Sequence, residues 1–187
     1  MNIKDERGFS LIELLVVVAL IAIIAAIAMM GRDTYQGRQL KAASQQLYGD
    51  LQKVRVDAMT KSNAANSRGF GIRFTSSSAY RVFEFNDSNT ADNYQYDGTA
   101  EEANPTDVIL TSGITVTLGN TTTPPTGTGN VLIFSKQGLP KDNIWGQDNR
   151  IYVIQFSGVS QIRCVNIANV TIREGVWDAA NSSCAIQ

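Results

Sequence analysis

Residues 8–30 constrain this chain more than any other stretch. Gly8-Phe9-Ser10-Leu11-Ile12-Glu13-Leu14-Leu15 leads into an apolar run that ends at Met30, and from Leu14 onward no polar side chain interrupts it. As a helix, residues 9–30 would be about 33 Å long at 1.5 Å per residue, enough for a hydrocarbon core of roughly 30 Å. A helix that is apolar on every side must be surrounded by lipid or by other helices. Glu13 breaks the pattern. A carboxylate costs about 2.5–3.5 kcal/mol at a bilayer centre; near the end of the run it costs less, but it still calls for a partner.

Residues 1–7 are polar, with Lys4 and Arg7 against Asp5 and Glu6, and too few to fold. An ordinary secretory signal peptide is the plain alternative, with Ala26-Ile27-Ala28 as a small-residue cleavage site. Three features oppose it: the apolar run exceeds the usual h-region, Glu13 would sit inside it, and helical periodicity continues past Ala28. A simple membrane anchor gives Glu13 no task. Cleavage after Gly8 would free an amine on Phe9, and a charge in apolar surroundings is tolerated when an opposite charge neutralises it. Phe9 and Glu13 are spaced i,i+4 and could pair within one helix. A carboxylate that only reaches the headgroups is the other option.

Arg7-Gly8-Phe9-Ser10-Leu11-Ile12-Glu13-Leu14-Leu15, with the run behind it, resembles the type IV pilin and type II secretion pseudopilin superfamily. The resemblance implies cleavage between Gly8 and Phe9 by a prepilin peptidase on the cytoplasmic face, and N-methylation of Phe9. It also gives Glu13 a partner, the Phe9 amine of a neighbouring subunit, which would set the stagger of helices in a filament. The implied location is the bacterial inner membrane, single-pass, with the C-terminal domain in the periplasm and the subunit built into a periplasmic or surface filament. Lys4 and Arg7 on one side and Arg32, Arg38 and Lys41 on the other leave the positive-inside count undecided, so the orientation rests on the motif.

After Gly31, Arg32 and Asp33 the apolar positions become periodic. Leu40, Leu47, Leu51, Val54 and Ala58 follow at spacings that define one helix face. The spacing predicts one long helix over residues 9–61, loosened near Gly31, because glycine costs a helix roughly 1 kcal/mol relative to alanine. Many relatives carry a proline near the end of the apolar run, but this chain has Met30-Gly31, so no proline kink is implied. From Gly69 the period falls to two. Phe70, Ile72 and Phe74, then Ser76-Ser77-Ser78, then residues 80–85 read as a β-hairpin. Further strands are expected at 108–110, 114–118, 131–134, 151–156, 161–167 and 170–172.

The expected fold is α+β. A long N-terminal helix, transmembrane in its first half and amphipathic in its second, packs on a C-terminal antiparallel β-sandwich. The expected parts are a cleaved leader (1–8), a transmembrane helix (9–30), an amphipathic helix (31–62) and a β-rich globular domain (63–187). Residues 86–106 and 119–130 read as exposed loops. Asp87, Asp92, Asp97, Glu101 and Glu102 have oxygens to offer calcium, yet their spacing fits no EF-hand, so a solvated acidic loop is expected and no metal.

The order of the β-signals is similar to that of the minor pseudopilin H group and related minor type IV pilins. Outside the cytoplasm the two cysteines, Cys164 and Cys184, are expected to pair and to tie the tail, with Trp177, onto the sheet; two unpaired buried thiols are the alternative. Many type IV pilins also have a disulfide near the C-terminus. The chain has no histidine, hence no histidine base or ligand, and two cysteines cannot make an all-cysteine zinc site. Gly69-Phe70-Gly71 lacks the third glycine and following helix of a dinucleotide motif. No catalytic constellation and no cofactor are expected, so the chain does not read as an enzyme.

The function expected is that of a minor pilin or pseudopilin, which primes, caps or joins a type II secretion pseudopilus or type IV pilus. The resemblance implies as partners other pilins or pseudopilins through the N-terminal helix, the prepilin peptidase, an inner-membrane assembly platform and inner-membrane lipid. The alternative is a tip pilin that binds DNA or a surface. A net charge of −1, and Arg163 and Arg173 offset by Glu174 and Asp178, disfavour nucleic acid.

Overall fold

The computed structural model describes residues 10–62, 66–88, 93–119, 121 and 124–186, with side chains omitted for 28–34. Helix α1 occupies Leu11–Lys61 and carries Glu13 in its first turn and Lys61 in its last. It is a single hydrogen-bonded run with no break at Gly31, where loosening was expected. One glycine removes only a side chain, and the amide that continues the helix remains. The chain divides within the helix into two units, residues 1–36 and 37–187.

In the second unit the strands are β1 (Ser67–Ser76), β2 (Ala79–Asn86), β3 (Glu102–Ile109), β4 (Ile114–Leu118), β5 (Leu132–Ser135), β6 (Pro140–Lys141), β7 (Arg150–Phe156), β8 (Arg163–Ala168), β9 (Thr171–Asp178) and β10 (Ser183–Ile186). They form two five-stranded sheets, ordered β3-β2-β1-β5-β6 and β10-β9-β8-β7-β4. Every pairing between them is antiparallel. The architecture is therefore α+β.

The helix face Leu40, Ala43, Leu47, Leu51, Val54 and Ala58 is buried, and it shares one core with residues of both sheets. Ile72, Phe74, Tyr80, Leu132 and Phe134 come from the first sheet, and Val116, Tyr152, Ile154, Val165 and Ile167 from the second. Polar bonds pin the helix to the first sheet and to the turn between β8 and β9 in the second. The Tyr80 hydroxyl donates to Asp50 at 2.5 Å, and Arg55 Nη1 donates to the Val170 carbonyl at 2.7 Å.

The first sheet also buries its other face. Phe83, Phe85, Val131 and Ile133 form a second cluster with Tyr96, capped by Trp145. Strand alternation explains the split: Tyr80 and Val82 point to the helix, while Phe83 and Phe85 point away. Gly71 lies opposite Phe83 in the ladder. A Cβ on Gly71 would come within 2.8 Å of the Phe83 ring and 3.1 Å of the Leu132 carbonyl oxygen. Glycine here makes room for an aromatic ring across the strand.

One expectation about loops needs correction. The segment 86–106 is not loop throughout, because β3 begins at Glu102 and pairs with β2. Pro105 hid the strand. Proline cannot donate to a ladder, but β3 is an edge strand, where one side needs no donor. The segment 119–130 contains a 3₁₀ turn at Thr128–Asn130, and Thr126 bridges to Phe74. The short strands β6 and β10 fell below the length at which alternation is visible.

Candidate functional site

The proposed processing residues Gly8 and Phe9 lie outside the described residues. Glu13 is described. The Ser10 carbonyl accepts from the Glu13 and Leu14 amides at 3.0 and 3.2 Å, so Ser10 opens the helix and Glu13 sits in its first turn. The helix dipole favours a carboxylate at that end. Ser10-Leu11-Ile12-Glu13 also has the spacing of a capping box, a local signal that the motif masked. Among the described residues the Glu13 carboxylate has no cation or hydrogen-bond donor beside it.

Around Glu13 the helix offers only apolar surface. The large apolar side chains from Leu11 to Ile27 are 48–82% exposed, and none is packed into a core. Among the described residues no helix is long and apolar enough to cross a membrane. The stretch with described side chains, residues 11–27, would be roughly 25 Å long at 1.5 Å per residue, short of a hydrocarbon core of roughly 30 Å. The span expected over 9–30 extends beyond it, to Phe9 at one end and to residues 28–30 at the other.

Residues 3–29 match the prokaryotic N-terminal methylation motif. No curated protein and no solved structure matches the chain. The methylation motif takes in Gly8, Phe9 and Glu13, and points to a type IV pilin-like or pseudopilin subunit, a structural and generally non-enzymatic kind of protein. It is consistent with processing by a prepilin peptidase, assembly with other pilins and anchoring in a membrane.

The acidic segment is not a solvated loop. Asp87, Glu101 and Glu102 are buried. Glu102 Oε1 accepts from Arg73 Nε at 2.6 Å and from the Tyr96 hydroxyl at 2.5 Å. Its Oε2 accepts from Arg73 Nη2 and from Arg81 Nη1, each at 3.2 Å. Burial acts to raise the Glu102 carboxyl, but Arg73, Tyr96 and Arg81 outweigh it and hold the group below the usual range. Burial and the adjoining carboxylate push the Tyr96 hydroxyl well above its ordinary value. Arg73 and Arg81 face each other across the β1–β2 ladder, where like charges repel. Glu102 neutralises that pair, and Asp107 takes the other side of Arg81 at 2.6 Å.

The remaining acids are also engaged. Asp87 accepts from Arg68 and from the Tyr94 amide, Asp97 accepts from Asn93, and Glu101 accepts from the Asp97 amide at 2.7 Å. Asp92 lies outside the described residues. Among the described residues no group of three or more acids or cysteines is placed to hold a metal ion. Sequence spacing could not show this, because the arginines that use these carboxylates come from β1 and β2.

Cys164 and Cys184 are disulfide-bonded, with Cα atoms 5.8 Å apart. They lie on β8 and β10, with β9 between. Alternate strands of a flat sheet would be roughly 9.5 Å apart, so β10 folds over β9. Gly175 permits this, because its Cβ would meet the Ala185 carbonyl oxygen at 2.2 Å and Cys184 Sγ at 3.1 Å. Trp177 is part of β9, pairs with Cys184 and needs no tether of its own. Arg163 is buried and bonded to Glu174 at 3.1 Å, which removes it from any phosphate-binding patch.

Proposed function

We propose that this chain is a minor pilin or pseudopilin, a structural subunit that primes, caps or joins a type II secretion pseudopilus or a type IV pilus. The supporting observation is an apolar helical segment, exposed on all sides, with a single carboxylate that has no partner among the described residues. Such a surface needs lipid at one stage and sister helices at another. In this reading its cation comes from outside its own chain.

In the full proposal the leader, residues 1–8, is removed between Gly8 and Phe9 by a prepilin peptidase, and Phe9 is methylated. Residues 9–30 span the inner membrane, and the β-domain faces the periplasm. An assembly platform then moves the subunit from lipid into the filament, where Glu13 pairs with the Phe9 amine of the neighbouring pilin or pseudopilin. Within the superfamily the order of β-signals favours the minor pseudopilin H group and related minor type IV pilins.

Mass spectrometry of the mature protein should find a methylated Phe9 terminus; a chain starting at Met1 or near Met29 would refute the processing. Glu13→Gln keeps the size of the side chain and removes the charge. It should leave membrane association intact and abolish co-purification with the filament. Wild-type incorporation of Glu13→Gln would remove the proposed role of the charge.

A further inference from the structure

The outer aromatic cluster ends in a cleft that packing alone does not account for. Tyr94, Trp145, Arg68, Lys136 and Gln137 line a surface cavity of about 220 Å³. Tyr94 and Trp145 both have left-handed backbone, with φ 57° and 62°. Bulky side chains seldom adopt that conformation, which costs of order 1–3 kcal/mol and persists where surrounding structure imposes it. Both strained aromatics belong to one cavity.

The two loops that carry them are fixed. The Tyr94 amide donates to Asp87 at 3.2 Å. Asp142 Oδ1 accepts from the Ile144 and Gly146 amides at 3.0 and 2.6 Å and closes the turn around Trp145. The Tyr96 amide donates to the Asn143 carbonyl at 2.7 Å and ties one loop to the other. Below, Trp145 rests on Phe85 at a ring separation of 5.8 Å. Trp145 is thus half core and half cleft, while Tyr94, at 41% exposure, completes no core.

The rings of Tyr94 and Trp145 meet at 59° with centroids 5.7 Å apart, which opens a wedge rather than a parallel slot. The Arg68 guanidinium covers one Tyr94 face at 4.5 Å and is itself bonded to Asp87. Lys136 and Gln137 are exposed on the turn between β5 and β6. The Lys136 ammonium, the Gln137 amide, the Tyr94 hydroxyl and the Trp145 indole N–H have no polar partner among the described residues. The lining therefore combines two electron-rich ring faces, several unused donors and one unpaired cation.

We propose that this cleft binds a single hexuronic acid ring, free or as a unit of an anionic polysaccharide. A puckered ring presents polarised C–H groups that suit negative aromatic faces, and its hydroxyls suit the unused donors. Lys136 takes the carboxylate as a mobile point charge. The volume holds one six-membered ring. A nucleic acid fits less well. A flat base needs a flat free face, one Tyr94 face is already covered, and a phosphate chain needs more cations than a site bordered by Asp87 and Asp142 supplies.

Isothermal titration of the full-length protein in detergent micelles tests the assignment, with D-glucuronate, a glucuronate-containing tetrasaccharide, D-glucose and an oligothymidylate as probes. Glucuronate should give saturable binding, and glucose should bind at least tenfold more weakly. Tighter binding of the tetrasaccharide than of the free acid would identify the polysaccharide as the source, and equal binding would identify the free acid. Lys136→Ala should weaken glucuronate binding at least tenfold, while Lys136→Arg should keep it within threefold. Both side chains are exposed, so near-UV circular dichroism should not change. Gln137→Ala, on the same exposed turn, should weaken binding severalfold. No saturable binding, equal binding of glucose, preference for oligothymidylate, or indifference to Lys136→Ala would each overturn the proposal.

Discussion

Glu13 and Glu102 are acids in two very different regions. Glu102 is buried and shared by Arg73, Arg81 and Tyr96. Glu13 stands on an exposed apolar helix with no cation beside it among the described residues. The first is satisfied within the fold, so its loss should be felt as lost stability. The second has no partner among the described residues, and on the proposed reading its loss is felt only when another molecule is present. A buried acid with internal partners is architecture; the proposed function makes Glu13 one half of an interface.

The sharpest test of that contrast is Glu102→Ala. It leaves Arg73 and Arg81 facing each other with their shared counter-charge gone, and breaking a buried pair costs about 3–5 kcal/mol. Thermal unfolding monitored by near-UV circular dichroism should show the loss. The same contact sets a pH dependence. The folded-state carboxyl lies below its unfolded value, so its stabilisation is complete above the unfolded pKa and disappears as pH falls through the folded one. In Glu102→Gln the acid limb of the stability profile should flatten; an unchanged limb would mean that other groups set it.

Next in size is the disulfide. Removing the cross-link over a separation of 20 residues, in Cys164→Ala/Cys184→Ala, should cost about 3 kcal/mol by the chain-entropy estimate. Denaturant midpoints with and without reductant would measure it. Gly71→Ala should cost about 1–3 kcal/mol, because its methyl group forces the Phe83 ring off the strand. A neutral result would show that the ring can move aside. Smallest is Glu13→Gln, which should change unfolding of the β-domain by less than about 0.5 kcal/mol. A large loss of stability there would mean that Glu13 has a structural partner and would erase the contrast.

The two regions also differ in how far sequence alone reveals them. The helix face from Leu40 to Ala58 was readable because its spacing is local and regular. The same holds for Phe70, Ile72 and Phe74. Glu102 was not readable as structural, because its partners lie on other elements and its own strand carries a proline, Pro105. In composition it looked like part of an acidic loop. The left-handed backbone at Tyr94 and Trp145 was equally hidden, since neither is a residue type that favours such a conformation. Glu13 stood out for the opposite reason. Its oddness is visible from its immediate neighbours, before any folding is considered.

The clasp between β8 and β10 has a consequence for how the protein must be made. Ser183–Ile186 is a ladder of four residues at the margin of a sheet, too short to stay put by hydrogen bonding alone. With the sulfurs reduced, that end of the sheet would peel away and leave the amides and carbonyls of β9 open to any passing strand. A cell lacking a thiol oxidant in the compartment where this domain matures should therefore accumulate sticky, protease-sensitive chains rather than finished subunits.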